Sequence, residues 1–98
     1  MIELLSLSHN FISSLQPLAE LDSLQELNLN NNKIYDVSSL AGLSKLTSLY
    51  LNNNKVRDVA PLGRLPVLQL LHLYNNNVPY SEKTVVLAVA AQLTELDI

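Results

Sequence analysis

His72 is the residue whose surroundings in the sequence pattern come closest to a chemical site. If the L-x-L segments form strands, side-chain alternation places His72 in one column with Tyr50 and Asp97, where a carboxylate favours a charged imidazole. However, no serine or cysteine nucleophile occupies a strand position within reach of His72, and no glycine-rich loop could hold phosphate or an oxyanion. His9 falls three strands away, which leaves Glu95 and Asp97 as the candidate helpers for zinc. We therefore predict no catalytic residue, no cofactor and no metal, and expect a protein that is not an enzyme.

Composition narrows the remaining classes. A chain of 98 residues makes a single domain, and a net charge of −3 without a basic cluster argues against direct nucleic-acid binding. There is no cysteine, which excludes a disulfide framework and thiolate metal sites. The longest apolar run, residues 85–91, is far shorter than the ~20 residues that span a bilayer, so we expect no membrane partner. Since no N-x-S/T sequon occurs either, we expect a cytoplasmic protein.

One phrase of leucines, closed by an asparagine, recurs along the chain. The phrase fits L-x-x-L-x-L-x-x-N-x-I/V/L, and its asparagines stand 22 residues apart. Its four copies are IELLSLSHNFI, LQELNLNNNKI, LTSLYLNNNKV and LQLLHLYNNNV, which contain Asn10, Asn32, Asn54 and Asn76 respectively. A fifth copy, LTELDI, begins at Leu93.

Each phrase contains the period of a strand, and each connecting segment has a different period. The L-x-L alternation points two leucines per phrase inward: Leu5 and Leu7, Leu27 and Leu29, Leu49 and Leu51, Leu71 and Leu73. In the three connecting segments apolar residues recur every third position, as from Ile34 through Val37 and Leu40 to Leu43. A spacing of three favours 3₁₀ turns over a full α-helix.

A fixed period with this apolar spacing resembles the leucine-rich repeat. The resemblance implies a right-handed α/β solenoid of about five parallel strands on a concave face, with 3₁₀ turns on the convex face. We assign residues 1–98 to one such domain, with repeats at 2–23, 24–45, 46–67 and 68–92 and a partial repeat at 93–98.

The fourth repeat departs from the others, because 25 residues instead of 22 separate Leu68 from Leu93. Its segment SEKTVVLAVAAQ predicts one C-terminal α-helix. Together with Pro79, Tyr80 and the final leucine-aspartate pair, this end resembles the C-terminal cap of an intracellular subfamily. That subfamily includes the leucine-rich regulator of a protein phosphatase, the spliceosomal A-prime protein and an axonemal dynein light chain. The middle repeats, with their DVAPL sequence at 58–62, also resemble bacterial internalins.

The asparagine column has a structural interpretation. An amide carries two donors and an acceptor, and each asparagine stands where the chain turns off a strand, so it can pair with otherwise orphaned backbone groups. We therefore assign Asn10, Asn32, Asn54 and Asn76 to a structural ladder and not to ligand binding. The neighbouring Asn53 should face outward and tolerate substitution by leucine.

The outward strand positions form columns across the concave face. Aromatic and acidic residues gather in its C-terminal half, a composition typical of interface hot spots, although tyrosine is also favoured in strands for its own sake. The predicted partner-binding residues are Tyr50, Leu70, His72, Tyr74, Glu95 and Asp97.

The function that we expect is non-catalytic protein binding, by an adaptor or regulatory subunit that holds another protein on its concave face. Two alternatives are a bacterial surface adhesion module of internalin type and an excised or designed repeat array without a partner. A solenoid exposes core residues at its tips, so we also expect self-association through uncapped repeat tips in the isolated chain.

Overall fold

Five short parallel strands form one sheet in the order of the sequence. The structure is a computed structural model that describes residues 2–79, 81 and 93–97. Each strand contains the outer-inner-outer triplet at the centre of one leucine phrase: β1 (Leu4–Ser6), β2 (Glu26–Asn28), β3 (Ser48–Tyr50), β4 (Leu70–His72) and β5 (Glu95–Asp97). The predicted count and direction of the strands are confirmed.

The register of the sheet stacks equivalent positions of the repeats. Leu5 pairs with Leu27, and the same inner column continues through Leu49, Leu71 and Leu96. Backbone hydrogen bonds continue past the strand ends, as where the Leu29 N–H donates to the Tyr50 carbonyl at 2.8 Å. Because the register never slips, each outward column of the sequence is also a row of adjacent side chains.

Short 3₁₀ helices cross the opposite, convex side, as the three-residue spacing predicts. They span Gln16–Leu18, Ser38–Leu40 and Ala60–Arg64. Pro17 and Pro61 lie in the first turns of their helices, where a missing N–H costs no hydrogen bond. Asp36 precedes the second helix and accepts a hydrogen bond from the Ser38 N–H at 2.9 Å. That bond lowers the pKa of Asp36, since it favours the carboxylate.

The core lies between the sheet and the convex turns. Nearly all of it is leucine, isoleucine and valine, and the inner leucines of β2, β3 and β4 are fully buried. The inner leucines of the first repeat, Leu5 and Leu7, are half-buried, because the sheet continues on only one side of them. Stacking thus buries what no single repeat could bury.

The predicted C-terminal helix, 81–92, lies outside the described residues except for Ser81. Within the part of the chain that is described, no helix is long and apolar enough to cross a membrane.

Candidate functional site

An aromatic cluster lies on the concave face across β3 and β4. It consists of Tyr50, Leu70, His72 and Tyr74, of which the parallel register pairs Tyr50 with His72. The rings of Tyr50 and His72 meet edge to face, with centroids 5.1 Å apart and planes at 88°. This arrangement suits the quadrupoles of two rings, so each ring holds the other in place. Tyr74 is 58% exposed at the end of the cluster.

The carboxylate that contacts His72 is not the one that the column suggests. Asp97 is the register partner of His72 on β5, but the His72 Nε2 lies 2.5 Å from Glu95 Oε2, on the diagonal. The side chain of His72 is 21% exposed and that of Glu95 is 58% exposed. The longer side chain of Glu95 reaches from the neighbouring column to the His72 ring. His72 and Asp97 are therefore register partners, as expected, but their side chains form no hydrogen bond.

Glu26 completes the cluster on its other side and was missing from the predicted site. Its Oε1 accepts a long hydrogen bond of 3.5 Å from the Tyr50 hydroxyl. The pKa of Tyr50 is raised, first by partial burial, then by the negative charge and hydrogen bond of Glu26 and the charge of Glu95. The signal was present in the sequence, because Glu26 occupies the same outward column as Leu70 and Glu95.

Below this face, the asparagine column fastens each repeat to the one before it. Asn54 Oδ1 accepts from the Ile34 N–H at 3.1 Å, while its Nδ2 lies 2.9 Å from the Leu29 carbonyl of the preceding repeat and 3.1 Å from the Leu51 carbonyl of its own. Asn32 and Asn76 repeat this pattern with the equivalent backbone groups.

The column is graded in burial. Asn32 and Asn54 are 4% and 7% exposed, Asn76 is half-buried and Asn10 is exposed. Asn10 donates to carbonyls of its own repeat, at Leu7 and Ser8. The four asparagines should therefore contribute unequally to the stability of the fold.

A second set of asparagine bonds, which sequence reasoning missed, orders the concave surface itself. Asn30 Oδ1 accepts from the Asn52 N–H at 2.8 Å, and Asn52 Oδ1 accepts from the Tyr74 N–H at 2.7 Å. This chain of hydrogen bonds ends at the backbone N–H of Tyr74, so it fixes the position of the backbone from which the Tyr74 side chain projects.

The expectation that Asn53 tolerates leucine did not include the backbone conformation of this residue. Asn53 has φ 62°, in the left-handed region, and so do the equivalent residues His9, Asn31 and Asn75. Asparagine and histidine are the side chains enriched in that conformation, whereas a leucine pays for it in steric strain. The available signal was the asparagine that directly precedes the ladder asparagine in three successive repeats, at Asn31, Asn53 and Asn75.

Two grooves outside the concave face flank Tyr35, which is 63% exposed. They have volumes of about 310 and 330 Å³ and share Tyr35 and Asp36 as walls. Their size reaches the lower end for small-molecule sites. The lowered pKa of Asp36 is explained by Ser38, so nothing in its titration points to a ligand.

The candidate site offers contact surface without reactive groups. Among the described residues, no three His, Cys, Asp or Glu side chains are grouped so that they could hold a metal ion. The side chains around His72 are phenol, carboxylate and leucine, which supply binding area and charge but no activated nucleophile.

Comparison with solved structures places the arc among bacterial and eukaryotic solenoids. An internalin of Listeria monocytogenes superposes with a TM-score of 0.91 at 31% identity, over 99% of this chain and 28% of that one. Internalin C2 of the same bacterium gives 0.90 at 38% identity, over 97% and 41%. The chain thus spans less than half the length of either internalin.

A structure of the SNF/U2A′ complex from Drosophila melanogaster shares the fold at 21% identity, with a TM-score of 0.71. No curated protein sequence matches the chain. The family profile described as leucine rich repeat matches residues 2–56, which is more than half of the sequence. With its parallel sheet and 3₁₀ turns stacked into a right-handed arc, the chain belongs to the leucine-rich repeat family.

Proposed function

We propose that the protein is a non-catalytic adaptor or regulatory module that binds a partner protein through the aromatic cluster on its concave face. The observation that supports this proposal is the edge-to-face contact of the Tyr50 and His72 rings, whose centroids are 5.1 Å apart. Both side chains are only half-buried, so they remain accessible to a partner. Leu70 and Tyr74 lie two residues before and after His72, so strand alternation puts them on the same face of the sheet. Buried aromatic anchors with polar neighbours are the usual source of interface energy, and leucine-rich repeats generally mediate protein–protein interaction.

Pre-organisation supports the same proposal. His72 is held by Tyr50 on one side and by Glu95 on the other. The strand ends beneath Tyr74 are tied by the Asn30 and Asn52 amides. Side chains that are already ordered lose little entropy when a partner binds, so a small cluster can contribute substantially to affinity.

The proposal is tested by capture from an extract of the source cells. Tyr50→Glu combined with Tyr74→Glu should abolish capture of the partner, because two charges would be buried against it. Lys33→Glu combined with Lys55→Glu is the matched control, as both lysines are exposed and lie beyond the strands. The circular dichroism spectra of both variants should match that of the parent, which shows that the fold is retained. Capture that survives the tyrosine changes and fails with the lysine changes would refute the concave-face assignment.

A second candidate is a bacterial surface module of internalin type, and a specific observation favours it. The identities of 31% and 38% to two internalins extend over almost the whole chain. Protease treatment of intact source cells separates the two, since a surface module is degraded and a cytoplasmic adaptor survives until the cells are lysed.

A further inference from the structure

Among the described residues, the strands carry acidic side chains but no lysine or arginine, whereas the segments outside the strands carry charges of both signs. Five lysines and arginines are described, and none of them lies on a strand: Lys33, Lys45, Lys55, Arg57 and Arg64. The outward strand positions instead carry the acidic residues Glu26, Glu95 and Asp97. The one imidazole among them, His72, is engaged with Glu95. The concave face therefore presents negative charge to whatever approaches it.

The acidic residues flank the apolar surface and contact its edges, Glu26 at Tyr50 and Glu95 at His72. Glu26 and Glu95 occupy one outward column, with Ser48 and Leu70 between them. Three strand steps of ~4.8 Å put the two glutamates roughly 14 Å apart at the backbone. Alongside, Tyr50 and His72 fill the next column. The resulting surface is acidic, then apolar and aromatic, then acidic again.

Glu26 differs from a fully solvated surface carboxylate, because its side chain is partly buried. Its side chain is half-buried beside Tyr50, and its bond to the Tyr50 hydroxyl is a long one, at 3.5 Å. The pKa of Tyr50 is raised first by partial burial and then by the negative charges of Glu26 and Glu95. A carboxylate that is partly removed from water and weakly bonded gains more from an added cation than a fully solvated one does.

Building on the proposed function, we propose that the concave face binds an extended peptide segment of a partner that carries Lys or Arg on both sides of an apolar residue. In an extended chain, residues i and i+4 are roughly 13 Å apart, which matches the separation of Glu26 and Glu95. The segment crosses the strands, places its central apolar side chain on Leu70 and Tyr50, and pairs its cations with the two glutamates. Charge complementarity sets which segments bind, and the aromatic cluster supplies the contact area.

Synthetic pentapeptides with blocked ends test the inference on the isotope-labelled 98-residue protein. The probe is Arg-Ser-Leu-Ser-Arg, and the comparisons are Glu-Ser-Leu-Ser-Glu and Arg-Arg-Ser-Leu-Ser, which has the same composition with adjacent charges. The NMR chemical shifts of the backbone amides of Ser48, Tyr50 and His72 should change when the probe peptide is added. The changes should be smaller with the adjacent-charge peptide and absent with the glutamate peptide. Glu26→Gln should lower the affinity for the probe peptide roughly two- to fivefold, which is the range expected from the loss of an exposed ion pair.

The matched control is Glu20→Gln, because Glu20 is an exposed glutamate that lies outside the strands; it should leave the affinity unchanged. Equal affinity for the arginine and glutamate peptides, equal effects of the two glutamine variants, or shifts confined to the grooves around Tyr35 would each overturn the inference. If those peptide results were negative while capture from cells still depended on Tyr50 and Tyr74, the basic-segment inference would fail and the proposed protein-binding function would stand.

Discussion

The inner asparagine column and the concave face occupy the same repeats, yet they differ in what is constant from turn to turn. The inner position is asparagine in every full repeat, and Asn32, Asn54 and Asn76 make the same hydrogen bonds. The outward column above it changes from Asn28 to Tyr50 to His72. The inner position must satisfy backbone groups that every repeat shares, whereas the outer position is free to serve a partner. Substitutions at the two kinds of position should therefore change different measurements.

The largest expected effect on stability is that of Asn54→Leu. The carbonyls of Leu29 and Leu51 would each keep a bond to another asparagine, but the buried Ile34 N–H would lose its acceptor. One orphaned buried donor costs about 1–3 kcal/mol of unfolding free energy. Urea denaturation measures the loss. Asn10→Leu is the control at the equivalent exposed position and should cost less than about 0.5 kcal/mol. Equal costs at the two positions would remove the distinction between inner and outer roles.

Asn53→Leu should destabilise the protein by about 1 kcal/mol, because leucine is strained at a left-handed φ. Asn53→Gly loses the same side-chain bond to Asn75 but adopts this φ freely. Comparing the two unfolding free energies therefore isolates the backbone contribution. A glycine variant that is as unstable as the leucine variant would place the effect in the lost amide bond.

A smaller effect should follow from Asp36→Ala, and it should depend on pH. The pKa of Asp36 is lowered in the folded state, so its stabilisation is fully present above the unfolded value of about 3.9 and is lost as the pH falls through the lower folded value. The difference in melting temperature between parent and variant should be constant from pH 7 to 5 and shrink below pH 4. A difference that grows on acidification would contradict the bond to Ser38.

The smallest change in stability is expected for Tyr74→Thr. Tyr74 is 58% exposed, and threonine, like tyrosine, favours extended backbone, so the unfolding free energy should change by less than about 0.5 kcal/mol. Partner capture should fall in the same variant. A marked loss of stability would show that Tyr74 supports the fold and would weaken its assignment to the binding surface.

The sequence by itself determined the repeat, the strands and the columns. A constant period of 22 residues with alternating leucines admits one register, because a slip of one residue would turn every buried leucine outward. The spacing of three likewise specified the 3₁₀ turns. These features follow from local periodicity and from the need to bury apolar side chains, so they could be predicted before any coordinates were known.

Only the tertiary structure decided how side chains within and between those columns meet. Which carboxylate contacts His72 depends on side-chain length and rotamer. Glu95 contacts the imidazole ring, although the register partner of His72 is Asp97. The bond from Tyr50 to Glu26 and the chain of amides from Asn30 to Tyr74 likewise require side chains from successive repeats at defined distances. The left-handed backbone at Asn53 is a torsion imposed by the turn into the next repeat. Periodicity fixes which residues become neighbours, but the contacts among neighbours depend on torsion angles that a linear pattern does not specify.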